Sequence, residues 1–160
     1  NIEALIYYLF FAALMVVTFI DLDHRIIPDV ITLPGIPICF AAGFALPTIT
    51  YKDALLGILI GGGSLFLIAW IYSLITKKEG MGGGDIKLLA MMGAIVGWQG
   101  VLFTIFVASL VGTLAGLAVI LQSRDGMKMA VPFGPFLSIG SITYIFFGTP
   151  LIAWYFNLLG

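Results

Sequence analysis

Gly80-Met-Gly-Gly-Gly-Asp-Ile-Lys87 is the stretch on which the reading of this chain turns. Four of its eight residues are glycine, and the carboxylate of Asp85 stands directly behind them. Apolar runs flank it, residues 55–75 before and 88–98 after. A backbone stripped of side chains, followed by an acid, thus lies between two segments suited to lipid. The composition agrees: 61% of the 160 residues are hydrophobic and 9% are charged, with a mean hydropathy of +1.17. Soluble domains carry about a quarter charged residues. The chain is therefore read as an all-α integral membrane protein, with residues 1–160 forming a single membrane-embedded domain.

Working outward, the apolar runs cover residues 4–20, 30–46, 54–75, 86–98, 101–121 and about 134–159. This predicts about six transmembrane helices, the fourth of them short. Pro34 and Pro37 predict a kinked or late-starting second helix, and Asp29 is placed to cap it. Small residues at Gly57, Gly61, Gly62, Gly63 and Ser64, and at Gly93, Gly97, Gly112 and Gly116, predict close helix packing. Gln99-Gly100 reads as a tight connection, and residues 122–129 as a charged loop. No cleavable signal peptide is expected, because the N-terminal residues lack a basic region.

Six spans put Arg25, Lys77, Lys78, Lys87, Arg124 and Lys128 on one side and Lys52 on the other. The positive-inside rule assigns the first group to the cytoplasm and both termini to the opposite side. Asp21, Asp23, Asp29, Glu79, Asp85 and Asp125 fall on that same side. A net charge of −1 gives no reason to expect a nucleic-acid partner.

Asp21 ends the first apolar run, and Asp85 opens the fourth. An ionisable group beside hydrocarbon is a functional candidate. Should the two helices be neighbours, the acids share a titration and one holds a proton. The charged acid can then take a proton from water while the other polarises a peptide carbonyl. Gly82, Gly83 and Gly84 would let a substrate backbone approach, with Asp23 and Lys87 beside them.

Other readings stand beside this one. Asp85 can be an N-cap and the glycines a plain loop. Asp23 can be an interfacial charge, and Lys87 can hold Asp85 charged or reach lipid headgroups. His24, the one histidine, reads as interfacial, and Cys39, the one cysteine, as a small buried hydrophobe. No P-loop, Gly-x-Ser-x-Gly or His-Glu-x-x-His pattern occurs. The alternative class is a small proton- or ion-coupled transporter. Against it, the acids sit at one edge of the spans and not midway, and no repeat is seen.

The stretch 80–90 resembles the Gly-x-Gly-Asp signature of membrane aspartic proteases. With Lys78-Glu79 before it and Gly97-Trp-Gln99 after, it is similar to bacterial type IV prepilin peptidases. Phe19-Ile-Asp-Leu-Asp-His-Arg-Ile-Ile-Pro-Asp-Val-Ile-Thr-Leu-Pro34 resembles that family's other signature, and Pro132-Phe-Gly-Pro135 matches a third segment. The resemblance implies a multi-pass enzyme of the cell inner membrane. It would cut leaders from type IV prepilins or type II secretion pseudopilins on the cytoplasmic side, with Asp21 and Asp85 as the catalytic pair. Its partners would be those substrates and membrane lipids, and self-association is left open. Methyl transfer in the family goes with a cysteine-bearing N-terminal segment, so from these residues no methylation, metal or cofactor is expected.

Overall fold

The computed structural model describes residues 1–122 and 131–160. Five helices follow in order: α1 (Ile2–His24), α2 (Asp29–Gly43), α3 (Tyr51–Thr76), α4 (Gly83–Gln122) and α5 (Gly134–Leu159). Among the described residues there is no strand. The charged loop expected after Gln122, with Arg124, Asp125 and Lys128, lies outside the described residues. By length and composition α1, α3, α4 and α5 can each cross a membrane, whereas α2 has only 15 residues. Their outward faces are apolar, as at Leu9 (58% exposed) and Phe106 (68% exposed). A water-facing helix would carry polar residues there, so these faces suit hydrocarbon.

The expected fourth and fifth spans form one element, α4, broken at Gly97. Gly97 has φ 73° and ψ 179°, a conformation open essentially to glycine alone. On both sides of the break α4 packs antiparallel to a neighbour, to α3 before it and to α5 after it. Before it, Gly93 packs on Gly57 and Leu89 on Gly61, while Gly97 meets Asp53. After it, Gly100 meets Tyr144, Thr104 meets Gly140, and Gly112 meets Phe136. Gly112 also meets Phe133, which lines the same cavity as Gly83 and Asp85 at the start of α4, so α4 turns back on itself. The turn falls two residues before the expected Gln99-Gly100, because those residues stay helical and only Gly97 leaves the helical region.

Every residue from 88 to 97 is buried. This first arm of α4 is apolar all round, so it is stable only when enclosed; α2, α3 and α5 pack against α4. From Gly83 to Gly97 the arm is about 20 Å long at 1.5 Å per residue, short of a hydrocarbon core of about 30 Å. The expected short fourth helix is thus a buried central strut.

The expected small-residue packing is present where backbones meet. A Cβ on Gly57 would overlap the Gly93 carbonyl, and a Cβ on Gly93 would overlap the Gly57 carbonyl. Gly63 and Gly116, by contrast, have nothing within 4 Å of an added Cβ, so they are not packing positions. Their lack of a side chain has no structural reason here.

α1 runs antiparallel to α5. Phe11 stacks on Phe146 with centroids 5.6 Å apart, Thr18 donates to Ser138 at 3.1 Å, and Asp21 meets Gly134. α1 ends at Arg25, whose left-handed φ of 55° closes the last turn. The Arg25 N–H donates to the Asp21 carbonyl at 2.8 Å, which fixes the backbone that carries Asp21. α2 starts at Asp29 despite Pro34 and Pro37, not late. Asp29 is not its cap: Pro28 takes the N-cap place, and the Asp29 carboxylate is drawn 2.9 Å from the Lys87 ammonium instead. Being in the first turn, its charge still favours the helix dipole.

Candidate active site

The end of α1, the start of α4, the start of α5 and the α1–α2 connection converge on one open cavity of about 810 Å³. Asp21, Arg25, Asp29, Gly80, Gly82, Gly83, Gly84, Asp85, Lys87 and Phe133 all line it. Each wall has a local cause. Asp21 sits on the last turn of α1, buried at 4% exposure. Its Oδ2 accepts from the Gly134 N–H at 3.0 Å. Asp85 is the third residue of α4, past the N-cap position, so the capping reading does not hold for it. Its Oδ1 is buried and has no hydrogen-bond donor among the described residues. Both acids line this one cavity.

The four glycines before Asp85 divide into two kinds. A Cβ on Gly80 would overlap the Tyr72 ring, and one on Gly84 would come within 2.8 Å of Ile27. Those positions are glycine because neighbours press on them. Gly82 and Gly83 are exposed along the cavity, and an added Cβ there would meet nothing within 4 Å. Their bareness therefore leaves open backbone along the cavity wall. Alanine at Gly84 is expected to push the start of α4 off Ile27 and lower thermal stability. Alanine at Gly82 should leave thermal stability unchanged. Melting curves of the two variants in detergent check the contrast; equal stability losses would contradict it.

Lys87 reaches the cavity but pairs with Asp29, where the sequence had offered Asp85 or lipid headgroups. Both partners are substantially solvent-exposed, at 35% and 54%, so the bridge contributes about 0–1 kcal/mol. Its use is geometric, since it ties the start of α2 to the start of α4. Asp23 is exposed and lies outside the cavity lining. His24 is exposed at the end of α1, and Cys39 is half-buried in α2.

Gly134 carries no role in the reading of the sequence. The signal was present in Pro132-Phe-Gly-Pro135: a glycine at the first position of a helix, one residue ahead of a proline. What could not be read was which side chain it would meet. A Cβ at Gly134 would lie 2.5 Å from Asp21 Oδ2.

A family model described as the type IV leader peptidase family matches residues 8–117. The prepilin leader peptidase/N-methyltransferase of Pseudomonas putida is 36% identical over 160 residues, which is 100% of this chain and 56% of that protein. Its counterpart in Aeromonas hydrophila is 38% identical, over 89% of this chain and 49% of that protein. For Pseudomonas aeruginosa the figures are 37% identity, 92% and 51%. The chain thus spans about half the length of the curated relatives it matches. No solved structure matches.

Proposed function

Because the chain belongs to the type IV leader peptidase family, we propose that it is an aspartic endopeptidase acting on prepilin or pseudopilin leaders, with Asp21 and Asp85 as the catalytic pair. One observation carries the reading. Two acids from distant parts of the chain meet in one cavity beside glycines whose backbone is left open. Two carboxyls that share one site do not both ionise readily, so on this reading the pair holds one proton between them. The charged member draws a proton from a water molecule as the water oxygen adds to the scissile carbonyl. The protonated member gives its proton to the carbonyl oxygen. Collapse of the tetrahedral intermediate breaks the C–N bond and the amine leaves protonated. No covalent intermediate is required. Gly82 and Gly83 receive the substrate backbone at the mouth of the cavity, and Asp23 is a secondary, outlying charge.

The side of action follows from charge. Arg25 and Lys87 line the cavity, and Lys77 and Lys78 precede its glycine wall. Lys52 stands at the opposite end, near the Gly97 turn that meets Asp53. The positive-inside rule then puts the cavity on the cytoplasmic face of the inner membrane and both termini on the other face. Acids at the mouth would attract a basic leader. The relatives' names also include an N-methyltransferase activity; the proposal for this chain concerns hydrolysis alone.

Reconstitution separates this reading from ion transport. The purified chain is placed in liposomes with a prepilin, and peptide mass and internal pH are followed together. Cleavage at a single bond without proton flux is expected. Proton flux without cleavage would overturn the proposal.

A further inference from the structure

The two acids are held in unlike ways. Asp21 Oδ2 receives the Gly134 N–H at 3.0 Å in buried surroundings. That N–H opens the 26-residue α5, where the aligned peptide dipoles place partial positive charge. Asp85 Oδ1 is buried with no donor bonded to it among the described residues. Resting on the peptidase reading, we propose that Gly134 is a positioning residue that makes the pair unsymmetrical, holding Asp21 as the carboxylate base and leaving Asp85 as the proton donor.

The chemistry runs as follows. An amide N–H can only donate, and it binds a charged oxygen more strongly than a neutral one. A carboxylate oxygen without a partner, desolvated as Asp85 Oδ1 is, is disfavoured as the charged form. Both facts put the shared proton on Asp85. The remaining charged groups at the cavity do not reverse this. Lys87 is engaged by Asp29 at 2.9 Å. Arg25 is exposed, and among the described residues neither acid forms an ion pair. From α5 and the facing part of α1 come only hydroxyls, Ser138 and Thr18, and these bond one another.

The reacting cycle balances on this assignment. Asp21 takes one proton from water as the new C–O bond forms, while Asp85 passes its proton to the carbonyl oxygen. On collapse the C–N bond breaks, Asp21 returns its proton to the departing nitrogen, and a hydroxyl of the intermediate reprotonates Asp85. The pair ends as it began. Glycine is needed at 134 because any Cβ there would press on Asp21 Oδ2 at 2.5 Å and on Ile27 Cδ1 at 3.3 Å.

A plain helix cap would use the same hydrogen bond, so the test must read proton placement. Gly134→Ala displaces the Asp21 carboxylate from its donor. It is expected to lower kcat at least tenfold with KM within about twofold. Losing a bond to the charged form lets Asp21 take up a proton more readily, so the acid limb of the kcat/KM–pH profile should move to higher pH. A fall in kcat with an unmoved acid limb would reduce Gly134 to a structural cap and overturn the proposal. A second measurement needs no variant and no cleavage. An epoxide reagent alkylates carboxylates and a diazo ester esterifies protonated carboxyls. Peptide mapping of the wild-type protein should find the epoxide on Asp21 and the diazo label on Asp85. The reverse pattern would overturn the assignment. Because labelling reads the acids whether or not a prepilin is cut, it fails separately from the peptidase reading.

Discussion

Asparagine at Asp21 or at Asp85 is expected to lower leader cleavage by about 10²–10⁴-fold, the range general acid–base groups contribute. The substitution is nearly isosteric and removes only the ability to hold or pass a proton. At Asp21 the amide oxygen can still accept from the Gly134 N–H, so the start of α5 keeps its partner. At Asp85 an amide replaces an oxygen that bonds to nothing. Both variants should therefore fold, and the loss should fall on kcat and not on expression or melting temperature. Asp23→Asn, at an exposed position outside the cavity lining, should keep near wild-type activity. Mass analysis of a prepilin incubated with each variant in liposomes reads all three. Wild-type rates from Asp21→Asn or Asp85→Asn would remove that acid from the mechanism.

The second large effect is on stability. Gly57 and Gly93 bring the α3 and α4 backbones together with no room for a methyl on either side. Overpacking costs about 1–3 kcal/mol where side chains can move aside. Here the obstructing atoms are carbonyl groups of rigid helices, so Gly57→Ala and Gly93→Ala should lie at the upper end. In thermal denaturation this corresponds to a fall of about 5–10 °C. Activity should fall as well, because the same arm of α4 holds Asp85 at its foot. Gly63→Ala and Gly116→Ala, where an added Cβ meets nothing, should melt like the wild type. A Gly57→Ala protein as stable as wild type would mean that α3 and α4 do not pack in this register.

What the sequence made legible follows from the physics that each feature obeys. Apolar runs report helices in lipid directly, because no other chemistry keeps so many backbone groups satisfied there. The helices themselves, and a fourth span too short to stand alone, were readable for that reason. The turn was placed two residues late, at Gln99-Gly100, since a glycine in an apolar run such as Gly97 looks the same whether it packs, bends or reverses the chain. Gly93 and Gly97 are one helical turn apart, yet the first packs against a helix and the second ends one. In the site, the two acids stood out because charge beside hydrocarbon is rare. Their surroundings did not. Lys87 was read as holding Asp85 or reaching lipid headgroups, whereas Asp29, from another helix, holds it. Gly134 was invisible as a partner of Asp21 because hydrogen bonding through a backbone N–H leaves no mark on residue identity.

The central claim is that Asp21 and Asp85 act as one proton-sharing unit. The most direct measurement compares single-turnover cleavage rates of a reconstituted prepilin by the wild type, both single asparagine variants and the double variant. Groups that work as a unit lose nearly everything when the first is removed. The account predicts that the double variant is no slower than the slower single variant, within about threefold. Multiplying losses would show two acids acting independently and would contradict it.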